Sequence, residues 1–493
     1  MALDSRAPVI VGVGQVNNRV DEGSEPIDLI AEALRAAEAD SGGRGVLTAA
    51  DSVRVVHILS WRYRDPGALV AERVGAEPRE TVHTTSGGNT PQMVVNRTAL
   101  DIQEGRADLV LIGGAEAWRT RMARRREGRK PSWTLLDESL EPTRTLGGEL
   151  DMGHESEMAQ GIILPVQMYP LFDSAIRAAR GWTIEEHRDH LGALWSRFSE
   201  IAASNPHAWI QRRFTPGELR DPSPDNRMVG FPYTKLMNSN NHVEQGAALV
   251  MCSAERAAAL GIPEDRWVFP VAGTDAQDHE YVTHREDLCS SPAIRLAGEA
   301  LFELAGVGPE DVPRVDLYSC FPSAVQVAAT ELGLSGERDL TITGGMSFAG
   351  GPWNDYVTHS IATMVGVLRE HPDELGLCTA NGGFLAKHSL GLYSATPPTQ
   401  GFRHASPQAA VDRLPRRQAA EDHEGDVTVE AYTVMHDREG APETGIFAVL
   451  TADGRRGWAT SSDADLLETA VTQELIGSPG RRASGGDLRI NPL

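Results

Sequence analysis

The sequence predicts an α/β fold of two repeated halves, with a long inserted region between them and a small β-rich unit after them. Three observations predict it. Short apolar, β-rich runs alternate with amphipathic helical stretches, the mark of a parallel sheet covered by helices. One signature occurs twice: Gly87 and Gly88 lead into a helix and then a strand ending at Gly113 and Gly114, and Gly350 and Gly351 do the same toward Gly382 and Gly383. The last stretch of the chain instead alternates apolar and polar residues between turn signals.

The elements follow in order. Residues 7–13 (APVIVGV) form a short apolar run suited to a buried strand. Residues 26–39 place apolar side chains at helical spacing behind acidic residues, as a helix start prefers. Residues 52–60 (SVRVVHILS) are β-branched and read as a second strand, and 67–74 as a short helix. Residues 81–90 (TVHTTSGGNT) end a strand in a glycine turn, and 91–103 form a helix with proline in its first turn. Residues 107–114 (ADLVLIGG) are a strand.

From 116 to about 241 the pattern is polar, aromatic and proline-rich, with one clear helix near 184–203. Loops this long are usually lids or binding loops. The α/β pattern then returns, with strands at 246–252, 267–273, 314–319, 375–380 and 390–394 and a helix at 293–305. The expected units are 1–117 and 244–397 for the two halves, 118–243 for the insertion, 398–425 for a polar linker and 426–493 for a small β-barrel-like, OB-like domain.

Composition narrows the function. The 493 residues exceed one hydrophobic core. The formal charge of −23 excludes bulk nucleic-acid binding, which needs clustered cations. No run of apolar residues is long enough to span a membrane, and the N-terminus, from Met1, lacks a signal pattern, so a cytoplasmic location is expected. The four cysteines form no CxxC pair, so neither metal site nor disulfide framework is expected. One basic run interrupts the acidity: Arg119, Arg121, Arg124, Arg125, Arg126, Arg129 and Lys130. It reads either as a solvated face or as a landing site for a small polyanion such as a nucleotide phosphate.

A strand-end glycine turn feeding a helix lets backbone approach a ligand and offers free N–H donors. Two such turns would meet at one edge of a duplicated fold. The residues around them resemble the thiolase superfamily: VIVGVGQ from Val9, ADLVLIGGAEAW from Ala107, EQGAALVMCSAERAAALG from Glu244 and GGMSFAGGP from Gly344. The resemblance covers about residues 7–396 and is strongest toward sterol-carrier-type thiolases and actinobacterial thiolase-like proteins. It implies two βαβαβαββ halves in five layers and an inserted loop domain that contacts coenzyme A. It also implies acyl-CoA or a related lipid-derived thioester as substrate or ligand, with no tightly bound cofactor and no metal. Family members acylate a cysteine and stabilise enolate and tetrahedral oxyanions.

The departures are specific. Thr85 aligns with the nucleophilic cysteine. Gly350, Gly351 and Pro352 replace the Gly-His-Pro triplet, and Tyr318-Ser319-Cys320-Phe321 replaces His-Asp-Cys-Phe. Cys378 and His388 stand in a longer version of the last motif and are expected to pair if that loop folds back. Cys320, Asn381 and Thr85, the substituted nucleophile position, complete the catalytic candidates, and Arg124, Arg125, Arg126, Gly350, Gly351 and Ser86 are the expected coenzyme A contacts. Cys320 and Cys378 read equally as buried apolar cysteines. Three functions remain open: a thiolase-like acyl-CoA C-acyltransferase with altered catalytic groups, an inactive acyl-CoA- or lipid-binding protein, and a scaffold whose C-terminal module recruits a partner. Monomer and homodimer both remain open.

Overall fold

A computed structural model describes residues 3–19, 23–149 and 151–490. Met1 and Ala2, the start of the segment without a signal pattern, lie outside them. The first half supplies β1 (Pro8–Asn17), β2 (Ser52–Val55), β3 (Glu80–Thr84) and β4 (Leu109–Ala117), and β5 (Arg144–Leu146) follows. Helices α1 (Pro26–Ser41), α2 (Pro66–Val74), α3 (Thr90–Gln103) and α4 (Trp118–Arg126) connect or follow them. Local chemistry sets their ends. Asp65 caps α2 by accepting from the Ala68 amide, and Pro66 occupies its first turn. Gly42 ends α1 in the left-handed region at φ 72°, where a side chain would be strained.

The inserted region carries β6 (Met228–Gly230) and β7 (Tyr233–Thr234), and β8 (Glu244–Ser253) follows it. The first sheet runs β1-β8-β4-β2-β3-β5. Two differences from the sequence expectation matter. The run after residue 244 was expected to open the second half; β8 instead lies antiparallel between β1 and β4 and completes the first sheet. Every residue of β8 is buried, and an apolar run carries no mark of which sheet takes it. The inserted region also reaches back: β5 pairs with the outer edge of β3.

The second sheet runs β10-β11-β12-β9-β13, with β9 (Phe269–Gln277), β10 (Arg314–Asp316), β11 (Leu375–Gly382), β12 (Lys387–Ser394) and β13 (Arg403–Ala405). β13 comes from the stretch expected to be a linker and lies parallel to β9. α3 touches β1, β4 and β8 on one side and β9, β11 and β12 on the other, as the helix Tyr356–Glu370 touches β1, β8, β11 and β12. α1 covers the outer face of the first sheet and the helix Pro292–Ala305 that of the second. The order helix, sheet, helix, sheet, helix makes the five layers. The two central helices are buried on nearly all faces, and α3 buries polar side chains such as Gln92 and Asn96 among its apolar ones.

The C-terminal unit is a separate antiparallel ladder, β16-β15-β14-β17-β18, of β14 (Gly425–His436), β15 (Pro442–Leu450), β16 (Arg456–Ser461), β17 (Pro479–Arg482) and β18 (Leu488–Ile490). A parallel bridge between Thr460 and Asp487 joins its two ends into a small barrel. The barrel is docked, not tethered. β6 pairs with β14 at Gly230 and Met435. Arg177 of the helix Pro165–Arg180 bonds Glu474 at 2.8 Å. The fully buried Arg456 donates to the carbonyls of Val282 (2.9 Å) and Arg285 (2.5 Å) while paired with Glu430.

Candidate functional site

Strand β3 delivers the chain to the turn 85–89, and α3 starts at Thr90. Gly87 has φ 152° and donates its amide to Asn354 Oδ1 at 3.1 Å. Asn354 Nδ2 returns to the carbonyl of His57 (3.0 Å) and to Ser86 Oγ (3.4 Å). The second half closes on the same turn. A Cβ added to Gly382 would stand 3.2 Å from Gly87 Cα, and one on Gly88 would stand 2.5 Å from the Asn381 carbonyl and collide with Tyr318 Oη. Only glycine permits this approach of two backbones.

Tyr169, from the inserted region, ties the far side together. Its hydroxyl donates to the Gly383 carbonyl (3.0 Å) and accepts from Asn381 Nδ2 (2.9 Å) and the Leu385 amide (3.1 Å). Its ring stacks on Phe321 at 4.4 Å. One donor and two acceptor positions of a phenol are thus all used. Asn381 Oδ1 and Asn89 Oδ1 are buried at this junction with no hydrogen-bond partner. Such orphaned acceptors are costly and mark a place where another group docks.

The expected residues divide into three groups. The first reaches the junction: Gly351 through Asn354, Ser86, Cys320 and Asn381. The second stands apart from it. The Thr85 hydroxyl donates to the Gly148 carbonyl at 3.2 Å, and its side chain lines a cleft shared with Asp275, Gln277 and Lys387 of the second half. The residue facing Tyr318 and Asn381 is Gly88, at the head of α3. A strand end reverses side-chain direction at each residue, and the position cannot be read without the helix start. Cys378 and His388 do not pair. Cys378 lies mid-strand in β11, fully buried, and accepts from Ser360 Oγ at 3.4 Å. His388 stands across the ladder from Asn381 and bonds Asp278 Oδ2 at 3.2 Å. The third group lies elsewhere. Arg124 pairs with Glu127, and Arg125 and Arg126 are exposed at the end of α4.

No thiol here is primed as a nucleophile. Burial pushes the Cys320 thiol up to about 12, and raises Cys378 further beside Asp316. Gly351 has no room for the histidine of the usual triplet, because Ser239 Oγ occupies the space of its Cβ. Gly350 is likewise packed on Gln245. Burial holds the Tyr318 phenol well above its usual range, so it is a hydrogen-bond donor, not a base. Below the site, burial pushes Glu116 up to about 7 despite its bonds from the Leu59 and Ser60 amides, and raises Asp355 well above the usual carboxylate range.

Three contributors escaped the sequence reading: Tyr169, Asn354 and the tryptophan pair. Trp353 sits at φ 47°, strained for a bulky residue, with its ring 5.1 Å from Trp118. Arg121, from the basic run, lies over Trp118 at 4.8 Å. A non-glycine residue directly after Gly-Gly-Pro was the available signal. Among the described residues no group of three or more His, Cys, Asp or Glu could hold a metal, and no helix is long and apolar enough to cross a membrane.

The whole chain superposes on a crystal structure of a monomeric SCP2-thiolase-like protein type 1 from Mycobacterium smegmatis, at 32% identity and TM-score 0.85, covering 100% of both chains. The chain belongs to the thiolase superfamily. Residues 407–486 match the thiolase-like protein type 1 additional C-terminal domain. An acetyl-CoA acetyltransferase of Methanocaldococcus jannaschii is 23% identical over 267 residues, 54% of this chain, which spans only 60% of that relative. A steroid side-chain-cleaving aldolase of Thermomonospora curvata is 26% identical over 367 residues, 71% of this chain and 84% of that protein. Within this thiolase scaffold Gly88, Gly351 and Tyr318 at the junction carry neither thiol nor imidazole, and the thiol near them, Cys320, is buried and raised to about 12.

Proposed function

We propose that the protein binds acyl-coenzyme A thioesters at the head of α3 and acts on them without forming an acyl-enzyme. The observation that carries this reading is Gly88: the turn position packed against Tyr318 and the Asn381 carbonyl has no side chain, and Tyr318 Oη fills the space. The amides of Gly88 and Asn89 make no hydrogen bond among the described residues. They head a 14-residue helix whose dipole favours a developing oxyanion. Tyr318 adds a protonated hydroxyl beside them. This set can hold a thioester carbonyl or its enolate, but it offers no group to carry an acyl chain. C-acyl transfer through a relocated cysteine is disfavoured, because Cys320 and Cys378 are buried with raised pKa values.

Among thioester reactions, aldol-type cleavage or addition needs an enolate site and no acyl-enzyme. The relative named as a steroid side-chain-cleaving aldolase supports that second reading. A role in lipid metabolism, in the cytoplasm, follows from the same thioester chemistry. The strand order β16-β15-β14-β17-β18 of the docked barrel supports an OB-type reading. Partner recruitment through its free face is compatible with this role. β5 on the edge of β3 favours a monomer.

Calorimetric titration with acetyl-CoA, followed by an assay of acetoacetyl-CoA thiolysis, tests the reading. Binding without thiolysis is expected. No heat at millimolar ligand would reject the thioester site.

A further inference from the structure

A second cavity lies on the other side of the Gly87 turn. It has a volume of about 320 Å³. Its floor is His57 and His83, which stack face to face with ring centroids 5.0 Å apart and planes within 13°. Trp61, Tyr63 and Leu136 form the wall, and Arg62 and Arg64 the exposed rim. The cavity exists because the inserted region crosses the sheet edge: Leu136 and Thr145 of that crossing line it. Nothing in the thioester reading uses this space.

Its chemistry selects the ligand. Parallel stacked imidazoles cannot both place a nitrogen lone pair on one metal ion, since a ligand's metal lies in the plane of each ring. Burial lowers both imidazoles from their usual range, His83 to about 4. Arg64 is already engaged by Glu141 and lies 3.9 Å from Glu138. Arg62 makes no ion pair among the described residues. The nearby acid that is not so engaged, Glu149, acts on His57 and favours its protonated form. Tyr63 is committed to Glu25 and Trp61 to the Thr134 carbonyl, so neither hydroxyl nor indole N–H is free. The Glu141 carboxylate also lines the cavity, where Arg64 neutralises it; what remains is one guanidinium and two imidazoles able to gain protons, around a space wide enough for a tetrahedral oxyanion and part of its ester group.

We propose that this cavity binds the phosphate group of a phosphate ester, with proton uptake by the His57–His83 pair. A dianion offers several acceptor oxygens and repays the cost of charging a desolvated imidazole, whereas a neutral ligand cannot. The phosphate could be that of coenzyme A or of a separate ester.

The test uses inorganic sulfate, a tetrahedral dianion that does not itself titrate near neutrality, followed by calorimetry at pH 8 and pH 6. The wild-type chain should bind sulfate at least tenfold more tightly at pH 6. His57→Asn with His83→Asn should lose that gain, and Arg62→Ala should weaken binding at both pH values. Thermal melts establish that each variant is folded. Coenzyme A against dephospho-coenzyme A then separates the sources. A preference for coenzyme A that vanishes in the histidine double variant assigns its phosphate to the cavity. No preference, with sulfate binding intact, assigns a separate phosphate ester. Sulfate affinity that does not change with pH, or that the folded double variant retains, overturns the proposal. The cavity reading does not depend on the thioester reading: binding of the dephospho form of acetyl-CoA at Gly88 should survive the histidine double variant.

Discussion

Gly88 decides what this site can do. Its missing side chain lets Tyr318 and the Asn381 backbone close on the head of α3, so the space is filled from the other half of the molecule. Overpacking such a contact costs about 1–3 kcal/mol. Gly88→Ala should therefore lower stability by about that amount, and Tyr318→Phe in the same chain should restore part of it; denaturant unfolding reads both. A second residue-scale outcome concerns His359, which is buried and held down to about 3, chiefly by loss of solvent. Its ring stays neutral in the fold while the unfolded chain takes a proton below about 6.5. Its contribution is thus complete above that pH and falls away as pH drops toward 3. His359→Asn should flatten the decline of Tm between pH 6.5 and 4. An unchanged slope would show that another group dominates the acid limb.

At the scale of elements, β5 is the unusual strand. It is three residues long, yet it covers the outer edge of β3, held by Arg144 to Asp101 at 3.0 Å and by the Thr85 amide to the Leu146 carbonyl at 2.8 Å. An uncovered edge strand pairs with other chains. Arg144→Glu places a carboxylate beside Asp101 and Glu80, so β5 should detach. Size-exclusion chromatography should then show self-association, and a variant that elutes as the wild type would contradict this role for β5. The same strand shows where sequence reading stops. α1, α2 and α3 were legible because burial imposes a helical stripe on them, and β1, β4, β11 and β12 because strands buried on both faces read as short apolar runs. β5, β13 and the helix Pro165–Arg180 were not. The first two are three residues long, and the helix carries Pro170 inside it. The glycine turns were legible as chemistry, but the residue facing the partner half depends on where α3 begins, which one residue in either direction changes.

Across the whole molecule, the inserted region and the barrel act as one brace. Tyr169 reaches from the insertion into the site, and the neighbouring Arg177 reaches into the barrel. Arg456 locks the barrel onto residues 282–285 with its charge fully buried. Removing one partner of a buried pair costs roughly 3–5 kcal/mol. Arg456→Ala should loosen the barrel as a unit, seen as new protease cleavage between residues 398 and 425 while the thiolase core resists. The central claim remains the absence of an acyl-enzyme on a thiolase scaffold. Incubating the protein with acetyl-CoA labelled in the acetyl group, quenching in acid and weighing the intact chain by mass spectrometry tests it most directly. The unmodified mass, together with calorimetric binding of the same ligand, is the expected result. An acetyl group found on Cys320, Cys378 or Thr85 would contradict the account.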